Sequence, residues 1–140
     1  MIIATGSAGF YGKLPAVGDF VMRHLAQDFV HPWDAWLQNA LMMSRQQMAD
    51  TWLDYYLVSP VWRYLLGPGV CGVDACIGVV LPSVDKVGRY FPFTINMPVA
   101  IDSNLLRPLV QGEGWFAQAE EMALDALEKD SMDMQSFEAS

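Results

Sequence analysis

The sequence predicts a mixed α/β domain, a central and largely antiparallel sheet flanked by helices in a layered sandwich. Three observations carry that prediction. Apolar residues recur at helical spacing through residues 31–57, and then the period changes to short apolar runs between Gly/Pro clusters. Helical spacing returns after Gly114. The composition, 53% apolar and only 17% charged over 140 residues, is that of a single core-forming domain and not of a solvated linker. A domain of about 150 residues buries roughly 68–70% of its unfolded surface, so no metal or disulfide staple is required.

Taken in order, Gly9-Phe10-Tyr11-Gly12-Lys13 reads as a short aromatic strand that ends near Leu14-Pro15, with a turn at Gly18-Asp19. Residues 20–29 are ambiguous, with Phe20, Val21, Leu25 and Phe29 roughly at helical spacing. The clearest helix is placed from His31-Pro32. Proline suits a first helical position, where its missing N–H has no partner to lose, and Asp34 would then sit in the first turn. Trp33, Trp36, Leu37, Ala40, Leu41, Ser44 and Met48 form its apolar stripe. A second helix is expected over about 50–57 with Trp52, Leu53, Tyr56 and Leu57 inward, ended by Ser59-Pro60. Strands are expected at Val61–Leu66, Ala75–Leu81 and Phe91–Ile101, joined as an antiparallel meander. Pro92 and Pro98 argue for an edge or a bulge in the last of them. A final helix runs from Gly114 to about Leu127, and residues 131–140 read as a polar, frayed tail after one domain spanning 1–130.

Charge narrows the function. Up to Arg107 the chain carries 7 bases and 8 acids, whereas from Pro108 onward one base, Lys129, faces 8 acids. Nucleic-acid binding needs a basic stripe to displace counterions, so it is not expected, and neither is attraction to anionic membranes. No apolar stretch is long enough for a signal peptide or a membrane span, which gives a cytoplasmic expectation with Cys71 and Cys76 as reduced thiols.

Motifs for chemistry fail one by one. Gly6-Ser7-Ala8-Gly9-Phe10-Tyr11-Gly12-Lys13 has Ser7 where a phosphate loop needs Gly and Leu14 where it needs Ser or Thr. The cysteines and the two histidines, His24 and His31, do not have zinc spacing, and no G-x-S-x-G elbow is present. No cofactor and no catalysis are therefore expected.

What remains is the charged loop from Pro82 to Pro92, between two apolar runs. Its Ser83, Asp85, Lys86, Arg89 and Tyr90 are candidate partner-binding or anion-contacting residues, together with Lys13, Asp19 and Trp62. The purely structural alternative is a tight connection in which Asp85 accepts backbone N–H groups and Arg89 pairs with an acid. The Trp stripe reads mainly as core, and the alternative is that one or two of Trp33, Trp36, Trp52 and Trp62 reach an interface instead.

Several blocks in order, Gly9–Pro15, Gly18–Val21, Pro32–Gln38, Trp52-Leu53, Ser59–Tyr64 and Pro82–Pro92, resemble the TagF family, also called ImpM, of bacterial type VI secretion. The resemblance covers about residues 8–100. It implies a non-catalytic cytoplasmic repressor that acts after translation by binding a forkhead-associated scaffold protein. Some relatives carry a fused phosphatase domain; this chain has no matching metal-binding Asp/Gly motifs, and a longer C-terminal portion of the regulatory surface is an open expectation. Two other readings stand beside it. One is a sensor or enzyme in which Ser83, Lys86 and Arg89 clamp a phosphate or carboxylate. The other is weak self-association through exposed Trp.

Overall fold

A computed structural model of the chain describes residues 4–100 and 111–128. Its elements run β1 (Gly9–Gly12), β2 (Val21–Arg23), α1 (Gln27–Met48), a 3-10 turn (Ala49–Thr51), α2 (Trp52–Leu57), β3 (Trp62–Leu66), β4 (Ala75–Leu81), β5 (Phe93–Val99) and α3 (Glu113–Glu128). The five strands form one sheet in the order β2-β1-β5-β4-β3. Every pairing between these strands is antiparallel, in line with the largely antiparallel sheet expected. The meander β3–β4–β5 is present as expected.

Both faces of the sheet are covered, which explains why β4 reads as a continuous apolar run and why even the polar Thr94 and Asn96 of β5 are buried. On one face Ala75, Ile77, Val79 and Leu81 of β4 join Phe93, Ile95, Met97 and Val99 of β5. Against them pack Phe116, Ala119, Ala123 and Ala126 of α3, whose small side chains let the helix approach closely. On the other face Phe29, Val30, Trp33 and Leu37 of α1 meet Tyr11, Cys76 and Phe91. Trp33 also donates its indole N–H to Thr94 Oγ1 at 2.9 Å, a buried bond that ties α1 to β5. The result is a three-layer sandwich. Across the β3–β4 register Tyr64 opposes Gly78, where a Cβ would sit 2.2 Å from the Tyr64 ring; only glycine admits that ring.

Four expectations need correction. Helix α1 begins at Gln27, so Pro32 lies inside it and not at its first position, and Asp28 is the first-turn acid. Phe29 and Val30 are buried, and their packing extends the helix one turn ahead of the proline despite the lost backbone donor. Residues 21–23, read as part of a roughly helical stretch, form the edge strand β2, too short to show a period. The apolar stripes are narrower than expected: Trp36 and Met48 on α1, and Leu53 and Leu57 on α2, are exposed. Finally, β5 is a central strand, not an edge. Pro98 is tolerated because its carbonyl accepts from Thr5 N at 3.0 Å, so its own missing N–H points to that same side, past the end of β1, and not toward β4. The tail predicted over 131–140 lies outside the described residues.

Candidate partner-facing site

The Pro82–Pro92 loop leaves β4 and returns to β5, so the two central strands fix both its ends. Its centre is Asp85, only 3% exposed. One carboxylate oxygen accepts the backbone N–H groups of Val87 at 3.0 Å and Arg89 at 2.9 Å. The other accepts the Arg89 Nε–H at 2.7 Å and faces Lys13 Nζ at 3.3 Å. Burial alone would raise this carboxyl. The Arg89 N–H, the Lys13 ammonium, the Arg89 guanidinium and the Val87 N–H outweigh it and hold it down to about 2. A positive φ of 92° at Gly88 completes the turn.

The base of the loop is equally occupied. Ser83 donates its hydroxyl to the Lys13 carbonyl at 2.6 Å, tying β4's end to β1's end. Tyr56 of α2 donates its hydroxyl to the Ser83 carbonyl at 2.7 Å and accepts the Ser83 N–H at 2.9 Å. Burial pushes the Tyr56 phenol up to about 12, so it stays protonated and able to donate. Arg89 reaches the Gly18 carbonyl at 2.6 Å, and the Lys86 N–H reaches the Val17 carbonyl at 2.9 Å. Lys13, itself buried, lies 4.9 Å from the centre of the Phe20 ring.

The structure therefore brings Lys13, Ser83, Asp85 and Arg89 into one connected cluster. Tyr90 is half-buried and packs edge-on against Tyr56 and Trp52, with centroids 5.6 and 6.1 Å away. Asp19 sits apart and exposed, its carboxylate accepting the Phe20 N–H at 2.7 Å. Trp62 is also apart, on β3, with 61% of its surface exposed. Sequence reasoning missed Tyr56, which only tertiary structure brings to Ser83, and Val87, which projects at the loop tip with 68% exposure beside exposed Lys86.

This wiring bears on the chemistry. Of the donors proposed for an anion clamp, Ser83 and Arg89 already serve acceptors within the protein, as does the neighbouring Lys13, whereas the Lys86 side chain is exposed. The hollow beside the loop, about 310 Å³, is lined largely by apolar residues such as Pro15, Leu57, Val61, Val84 and Leu124. Burial pushes the Cys76 thiol up to about 12 and raises Cys71 as well, which suppresses thiolate character in both. Among the described residues, no three His, Cys, Asp or Glu side chains come together to hold a metal ion. Nor is any helix among them long and apolar enough to cross a membrane.

An antiparallel sheet between two helical layers, with a wired hairpin loop at one end, defines a three-layer α+β module. The sequence matches the family described as the TagF N-terminal domain, type VI secretion system-associated, over residues 9–140, and the chain belongs to that family. The fold is also similar to the crystal structure of PA0076 from Pseudomonas aeruginosa PAO1, with a TM-score of 0.86 and 46% sequence identity. That likeness covers 95% of this chain but 60% of the PA0076 chain, so this chain spans somewhat less than two thirds of that relative. No curated protein matches the sequence.

Proposed function

We propose that this type VI secretion accessory protein is a non-catalytic, cytoplasmic repressor that acts after translation by binding a forkhead-associated scaffold protein through the tip of the Pro82–Pro92 loop. The observation that carries the reading is the internal satisfaction of the loop. Asp85 and Arg89 are spent on holding one conformation, while Lys86 and Val87 are held outward at the tip. A pre-ordered projection loses little conformational entropy on meeting a protein surface. A small-anion site would instead need donors that converge and stay unoccupied. Family membership supports the secretion context.

Calorimetry with the purified forkhead-associated protein tests the reading. Binding is expected for the wild type, with Val87→Asp weakening it about tenfold, roughly 1.4 kcal/mol. Arg89→Glu is expected to weaken it more than Lys129→Glu, because Arg89 holds the loop in shape. No heat of binding from a folded sample would overturn the proposal.

A further inference from the structure

The two edges of the sheet are built differently. The β2 edge is three residues long and is followed at once by His24 in a left-handed conformation, φ 56°, which blunts it against pairing. The β3 edge is five residues, Trp62-Arg63-Tyr64-Leu65-Leu66, with no proline, and no strand lies beyond it among the described residues.

Its one charge does not guard it. Arg63 is drawn over the α3 face by Glu113 and Glu120, each 2.5 Å away, and rests 5.2 Å from the centre of the Phe116 ring. On the α1 face an apolar groove of about 260 Å³ runs alongside, with Trp36 57% and Trp62 61% exposed at its rim. An edge strand without proline, whose single charge is engaged by a neighbouring helix, can template a further strand.

We propose that β3 pairs antiparallel with β3 of a second copy of this chain, joining two sheets across a two-fold axis. The sequence of the strand is self-complementary in that arrangement. With Tyr64 opposite Tyr64, Trp62 falls opposite Leu66 on the α1 face, and Arg63 falls opposite Leu65 on the α3 face. No charge meets a like charge, and each exposed Trp62 gains an apolar neighbour beside its groove. Five residue pairs and two indoles make a small interface, below about 1,200 Å², so the dimer is weak and concentration-dependent. The inference is independent of the partner reading, which rests on the loop tip.

Sedimentation over a concentration series from about 10 μM to about 1 mM tests it. The expected result is a mass rising toward twice that of the monomer, half-complete near about 100 μM. Trp62→Lys, at an exposed position, is expected to weaken association at least about tenfold while the circular dichroism is unchanged. Tyr64→Cys is expected to give an inter-chain disulfide on oxidation, since residues facing across an antiparallel pair have Cα atoms about 4.5–5.5 Å apart, within disulfide reach. A monomer throughout the series overturns the proposal, as does a dimer indifferent to Trp62→Lys. A monomeric wild type whose binding to the forkhead-associated protein is lost in Trp62→Lys but kept in Val87→Asp also overturns it, and assigns the edge to that partner.

Discussion

The loop from Pro82 to Pro92 and the edge strand β3 carry opposite kinds of surface. The loop holds Asp85, Lys86 and Arg89, and nearly every polar group at its base is paired inside the protein. The edge holds Trp62 and borders Trp36, both more than half exposed, and its only charge is turned inward to α3. At the base of the loop charge is used to fix shape, whereas along the edge uncharged aromatic surface is what stays open. A charged loop is thus a poor guide to where a protein is sticky, because buried charges must be compensated before they can do anything else.

That contrast predicts a wide spread of mutational effects. Asp85→Ala should be the most damaging change, because it strands two backbone donors and the buried Lys13 ammonium together, and leaves the Arg89 guanidinium only its bond to the Gly18 carbonyl. A fall in Tm of about 10 °C is expected by differential scanning calorimetry. A shift of one or two degrees would mean that the loop is not held by this cluster. The pH dependence follows from the same group. Its folded value of about 2 lies below the ordinary 3.8, so its stabilisation is complete above about pH 5 and is lost as pH falls through 4 toward 2. Denaturation curves between pH 6 and 2 should show this acid loss in the wild type. In Asp85→Asn, which carries no titrating group there, that component should be missing.

The Asp85 cluster was only partly legible in the sequence. An Asp four residues before an Arg, with Gly between them, allows an Asp that accepts turn N–H groups, and that alternative stood beside the anion site. The Lys13 partner was not legible, because only the β1–β5–β4 pairing brings the end of β1 to the loop. The same limit applies to Tyr56, whose spacing from Trp52 marks a helix face but not the Ser83 backbone it touches. Strand β4 was readable as an uninterrupted apolar run, β5 as an apolar segment between prolines, and helix α3 by apolar residues at helical spacing. Strand β2 has three residues, too few for any period to register. Pro32 misled for a different reason: local preference put it at a helix start, and the burial of Phe29 and Val30 overrode it.

Tyr56→Phe should rank second. It keeps the ring and removes the hydroxyl that serves the Ser83 N–H and C=O. The carbonyl still accepts Phe91 N–H at 3.1 Å, so the orphaned group is chiefly the Ser83 N–H. A cost of about 1–3 kcal/mol in urea unfolding, with unchanged m-value, is expected for a buried donor left without a partner. If the cost is near zero, water reaches Ser83 and the base of the loop is more open than its burial implies.

The smallest effect should come from the most conspicuous residue of the open region. Trp62→Ala removes the largest exposed side chain on β3, yet at concentrations where the protein is monomeric its stability should change by only about 0.5 kcal/mol or less. The indole is 61% exposed and lies over the rim of the groove, not inside either core, so little buried area is lost when it goes. A large destabilisation would show that Trp62 closes the groove within its own chain and that the edge is part of the core. A small one, measured in the same samples whose association it weakens, separates the two regions as the structure does: side chains spent on folding at the base of the loop, and uncharged side chains left open along the edge.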